Sequence, residues 1–134
     1  MDYALSGEDV FNAVKNTTGV EPNILSYDEL DKYKRIEDVL VNDMCIILYQ
    51  WKKDFGHWTC IMRRGDIIEH FDSYGMFPDK ELSLNNKKMN MILGQQFPYL
   101  ANMLINSGYT IHFNHHCFQG EHSSTCGRWV ILRL

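Results

Sequence analysis

The sequence has no cationic excess. Its 13 lysines and arginines stand against 17 aspartates and glutamates, a formal net charge of −4 over 134 residues. Proteins that grip the phosphate backbone do so through a basic face, so no nucleic-acid partner is expected. Long apolar runs are also missing. The longest, Met44 to Tyr49, covers six residues, against the ~20 that a membrane-spanning helix needs, and no membrane association is expected. The N-terminal Met1-Asp2-Tyr3 is acidic, and no apolar stretch with a small-residue cleavage site follows it. A secreted protein is therefore not expected. Four cysteines, Cys45, Cys60, Cys117 and Cys126, are scattered without a CxxC spacing. In a chain without an export signal they read as thiols and not as a disulfide frame.

Apolar and aromatic residues are plentiful, at 45% and 13%. That suits a single folded domain over residues 1–134 with a modest core. There is no internal repeat, low-complexity tract or linker. Ser6 ahead of Gly7-Glu8-Asp9 predicts a helix start, with Val10, Phe11 and Val14 as its apolar face and Gly19 as its stop. Ser26 is placed to cap a second short helix that buries Leu30 and Tyr33. Cys45 to Tyr49 predicts a buried strand. Trp58–Arg63 and Ile67–Phe71 flank Arg64-Gly65-Asp66 and predict a hairpin. Residues Asn85 to Asn106 carry Met89, Ile92, Leu93, Phe97, Leu100, Met103 and Leu104 at helical spacing, with Pro98 set to kink or split the helix and its methionines expected in the core. Tyr109 to Phe113 alternates as a strand, and Cys126 to Leu134 predicts a last helix. The sum is an α+β fold, a small mixed central sheet flanked by helices.

The segment Gln119-Gly120-Glu121-His122-Ser123-Ser124-Thr125-Cys126-Gly127 leads a polar loop into an apolar helix. A cysteine at a helix N-terminus sits among unpaired backbone N–H groups at the positive end of the dipole, which lowers its thiol pKa. Its own amide can point at an oxyanion, and Gly127 behind it leaves room for a substrate backbone. Such a nucleophile needs a base, an orienting group and oxyanion donors. His57 stands at the start of one predicted strand and Asp72 at the end of the next. If those strands are neighbours, both side chains reach one rim, and Asp72 can accept the second N–H of His57. Gln119 could supply a second oxyanion donor beside the Cys126 amide.

Gly56-His57-Trp58, Phe71-Asp72-x-Tyr74-Gly75 and Gln119-Gly120-x-x-Ser123-x-x-Cys126-Gly127 resemble the family of adenovirus maturation proteases and SUMO-deconjugating proteases, with their virus-encoded relatives. The resemblance covers about residues 40 to 131 and keeps the order His, Asp, Gln, Cys. It implies a cysteine protease with His57 as base, Asp72 as its orienting carboxylate, Gln119 in the oxyanion hole and Cys126 as nucleophile. It further implies that Trp58 and Gly127 line the substrate cleft and that small residues, often glycine, precede the cut. No metal or cofactor is implied. The implied setting is maturation of viral capsid or polyprotein precursors in the host cytoplasm, nucleus or virion, with an activating peptide or capsid partner left open. In such relatives the helix after the nucleophile usually runs longer than the nine residues from Cys126 to Leu134, so C-terminal trimming is also open.

Four rival readings exist. Removal of a ubiquitin-like modifier uses the same residues on a folded substrate. A triad-bearing acyltransferase or a non-catalytic binding module would keep the cleft and change its chemistry. Zinc is the fourth: His112, His115, His116, Cys117, His122 and Cys126 offer nitrogen and sulfur, but no second Cys pair is present and adjacent ligands diverge.

Overall fold

The computed structural model describes residues 7–52, 55–72, 79, 82 and 87–113. Helix α1 (Gly7–Thr18) opens with Glu8 and Asp9 in its first turn, where carboxylates favour the dipole. It stops at Gly19, whose φ of +77° lets its N–H reach the Lys15 carbonyl at 2.9 Å. Strand β1 (Asn23–Ser26) runs into a 3₁₀ helix (Tyr27–Lys32) and the short α2 (Ile36–Val39). Then come β2 (Met44–Lys52), β3 (Phe55–Arg64) and β4 (Ile67–Phe71), followed by α3 (Lys87–Ile92), α4 (Tyr99–Ile105) and β5 (Thr110–Phe113).

The five strands form one mixed sheet in the order β1-β2-β3-β4-β5. The outer pairs β1·β2 and β4·β5 are parallel, and the inner pairs β2·β3 and β3·β4 are antiparallel. Strand alternation divides the core in two. On one face α1 packs Val10 and Val14 over Ile46, Leu48, Trp58, Cys60 and Phe71. On the other, Tyr27, Leu30, Ile36, Val39, Leu100 and Leu104 cover Cys45, Ile47, Tyr49, Ile61 and Ile68. The α+β architecture, with a mixed sheet between helices, is the expected one. The 64–66 hairpin is present with Gly65 at φ +58°, and so is the strand ending at Phe113.

Three details differ from expectation. The split expected at Pro98 is present, but it begins earlier: α3 and α4 are separated by Gly94 at φ +73° as well as by Pro98 at the start of α4. Ile92 at the end of α3 and Phe97 between the helices are 70% and 57% exposed instead of facing the core, and Met91, also expected in the core, is exposed. Ser26 does precede a helical turn, but that turn is 3₁₀ and its side chain makes no capping bond. Strand β1 and helix α2 were not anticipated, since four residues each are too few to show a period. The predicted helix over Cys126–Leu134 lies outside the described residues.

Candidate functional site

Strand β3 presents His57 and β4 leads into Asp72. The β3·β4 register pairs Cys60 with Phe71 and Ile61 with His70, so alternation puts Thr59, His57, His70 and Asp72 on the Ile61 face of the sheet. There His57 Nε2 meets Asp72 Oδ1 at 2.6 Å, with His57 0% and Asp72 1% exposed. A buried carboxylate at Nε2 fixes the tautomer. Asp72 accepts the Nε2–H, which leaves the acceptor lone pair of the neutral ring on Nδ1. The two predicted residues at this rim are thus brought together by neighbouring strands. Removing either partner would break this buried pair, a change that typically costs about 3–5 kcal/mol.

Trp58 follows His57 in sequence and points to the opposite face, where its ring packs under α1 with Val10 and Val14. Gln119, Cys126 and Gly127 lie outside the described residues. Cys45 and Cys60 are both fully buried in the two core layers, the state expected of small apolar side chains. Burial pushes the Cys45 thiol well up, with Cys60 adding to the shift. Of the histidines considered as zinc ligands, His112 is exposed on β5, opposite Glu69. Among the described residues no group of three or more His, Cys, Asp or Glu could hold a metal ion. No helix among them is long and apolar enough to cross a membrane.

Sequence reasoning missed His70 beside this pair and the polar groups that hold the strand opposite His57. Tyr49 lies opposite His57 in the β2·β3 ladder. Its hydroxyl donates to Asp79 Oδ1 at 2.8 Å and accepts the Asp79 N–H at 3.0 Å, while Asp79 Oδ2 accepts the Ala101 N–H at 2.6 Å. Burial raises the Asp79 carboxyl and pushes the Tyr49 and Tyr27 hydroxyls well up. The two tyrosine rings stack at 4.9 Å. A usable signal was present only for His70: a histidine in the Ile67–Phe71 run that alternates in phase with the apolar Ile68 and not with Glu69.

His70 is 1% exposed, and among the described residues neither ring nitrogen has a hydrogen-bonding partner. Burial lowers it from 6.5 to about 4, Asp72 opposing the shift and His57 adding to it. A histidine depressed in the folded state is protonated first in the unfolded chain. Stability is therefore retained above the unfolded value of about 6.5 and declines as pH falls toward 4, by roughly 3 kcal/mol in all. Urea midpoints measured across that window should fall on acidification for the native chain. His70→Phe should remove this part of the slope, and an unchanged slope would show that His70 is not held neutral.

No protein-family model matches the chain. The solved ASFV pS273R protease is similar at 13% identity with a TM-score of 0.48, over 97% of this chain and 56% of that one, so this chain spans little more than half its length. The "uncharacterized protein V9" of Sputnik virophage is 37% identical over 135 aligned residues, covering 98% of this chain and 75% of the virophage protein. Likeness of that degree along nearly the whole sequence means that this chain belongs to the family of virophage protein V9.

Proposed function

We propose that this is a cysteine endopeptidase that works through a thioester at Cys126. The observation that carries the reading is the buried 2.6 Å His57–Asp72 contact, joined to Gln119 and Cys126 following in the matching order. With Nε2 engaged by Asp72, the base is Nδ1 of His57. It takes the thiol proton, and Cys126 Sγ attacks the scissile carbonyl carbon. The Cys126 backbone N–H and the Gln119 side-chain N–H₂ bind the resulting oxyanion. His57, now imidazolium and stabilised by Asp72, gives its proton to the leaving nitrogen as the C–N bond breaks. Water, deprotonated by His57, then attacks the thioester, releasing the new carboxyl terminus and restoring the thiol.

The substrate class is an extended peptide with small residues or glycine before the cut, lined by Gly127; Trp58, implied by the resemblance as a second lining residue, is buried on the other face of the sheet and does not line it. A virophage relative fits processing of viral capsid or polyprotein precursors inside an infected cell, where a capsid protein or peptide could also act as partner.

Turnover of a peptide library, run beside a fusion to a ubiquitin-like modifier, tests the reading. Cleavage of peptides supports it. Cleavage of the fusion alone would transfer the site to deconjugation. Acyl transfer to an amine or hydroxyl without hydrolysis would make it a transferase. In the active case Asp72→Asn should lower kcat by roughly 10³–10⁴, because the amide favours the wrong tautomer of His57. Gln119→Ala should cost roughly 10²–10³. A loss under about threefold at Gln119, far below the usual oxyanion-donor effect, removes it from the oxyanion hole.

A further inference from the structure

On its outer side β2 is paired with β1 only as far as Leu48, opposite Ser26. Two residues on, at Gln50, a side chain stands in for the missing strand. The Gln95 carboxamide accepts the Gln50 N–H at 2.9 Å and donates to the Gln50 C=O at 2.7 Å. These are the two backbone groups that a neighbouring strand would satisfy. Gln95 is 1% exposed, and its amide is oriented in turn. Its Nε2 also donates to Asn90 Oδ1 at 3.1 Å, and Asn90 Nδ2 donates to the Leu82 carbonyl at 2.8 Å. The Gln50 side chain meanwhile donates to Asp28 Oδ1 at 3.0 Å.

On the inner side of β2, Gln50 is opposite Gly56 and Tyr49 is opposite His57, and the ladder becomes irregular between Gln50 and Lys52. The regular ladder therefore gives out one residue beyond His57. We propose that Gln95 is a positioning residue for His57, clamping the β2 backbone so that β3 delivers the imidazole to Asp72. The inference rests on the reading of His57 as the base. A side chain that must keep a 2.6 Å contact with a group on the next strand depends on a fixed backbone. A misplacement of about 1 Å can cost about a hundredfold in rate. Asp79 ties down Tyr49 from outside the sheet, so consecutive residues opposite the β3 terminus are both held.

The test uses the full chain and needs no substrate: the rate of Cys126 alkylation by iodoacetamide near neutral pH, corrected for the folded fraction by circular dichroism. Gln95→Leu keeps the volume and loses both bonds, and alkylation should slow by roughly ten- to a hundredfold. Gln95→Glu sharpens the test. A protonated carboxyl has a donor and an acceptor like the carboxamide, whereas the carboxylate has no donor and faces the Gln50 carbonyl. Its alkylation should approach the native rate in mild acid and fall away as pH rises, opposite to the native trend. This reversible loss carries the test if Gln95→Leu does not fold. In the same samples, NMR follows the His57 Nε2 proton held by Asp72, which should be lost to exchange in Gln95→Leu. Native rates with an unaltered resonance overturn the positioning role. An inert thiol in the native protein sinks the protease reading, and the resonance then decides the positioning role alone.

Discussion

Cys126→Ala should abolish turnover, with a loss of roughly 10⁵ or more, and should remove the fast iodoacetamide adduct while the circular dichroism spectrum is retained. In the native chain the adduct at Cys126 should form well ahead of any at Cys45 or Cys60. Selectivity follows from the environments of the competing thiols. Cys45 and Cys60 have no exposed surface, and burial holds the Cys45 thiol well above its ordinary range. Neither can offer a thiolate at neutral pH without local opening. A cysteine beside a helix N-terminus and an imidazole is expected to do so, because both stabilise the anion. In denaturant all four cysteines should react alike, which separates environment from intrinsic reactivity. Adducts forming on Cys45 or Cys60 ahead of Cys126 in the folded chain would end the proposal that Cys126 is the nucleophile.

The pairing of His57 with Asp72 was legible in the sequence because a hairpin transmits spacing directly. Arg64-Gly65-Asp66 fixes the turn, the two apolar runs fix the strands, and residues 57 and 72 then fall near one end of adjacent strands. Register and alternation do the rest. The clamp on that end was not legible. Gln95 stands 45 residues from Gln50 in the chain, and a polar side chain replacing a strand leaves no period to read. The same holds for Asp79, whose φ of +68° and bonds to Tyr49 and Ala101 arise only from tertiary packing. In the region from 85 to 106 the split at Pro98 was legible, but which apolar residues face the core was not. The apolar residues there keep helical spacing through Gly94 and Pro98, but the backbone cannot, and Ile92 and Phe97 leave the face their spacing assigns them. Trp58 shows the limit of reading adjacency as proximity, since the residue beside His57 faces the other layer of the core.

Gly56→Ala should be the most damaging single-methyl change in the described fold, destabilising it by roughly 4 kcal/mol or more. A Cβ built on Gly56 would lie 1.8 Å from the Tyr49 carbonyl oxygen and 2.8 Å from Gln50 Cα. Both are backbone atoms of the paired strand, so no rotamer change relieves the clash. The close approach belongs to the irregular end of the β2·β3 ladder, where Gln50 faces Gly56 before the register shifts, and glycine in a strand often marks such a place. Relief requires the strands to part at the residue next to His57. Stability and the 2.6 Å contact with Asp72 should therefore fail together. Gly65→Ala is the control: Gly65 has φ +58° with nothing within 4 Å of a built Cβ, so its cost is only the left-handed backbone, about 1–2 kcal/mol. Domains of this kind have total stabilities of about 5–15 kcal/mol, so the two variants should differ plainly in urea midpoint. In whatever fraction of Gly56→Ala remains folded, Cys126 alkylation should also be slow, whereas Gly65→Ala should alkylate at the native rate. Equal destabilisation by the two alanines would mean that β2 and β3 are not in contact at Gly56, and the placement of His57 that depends on that contact would fall with it.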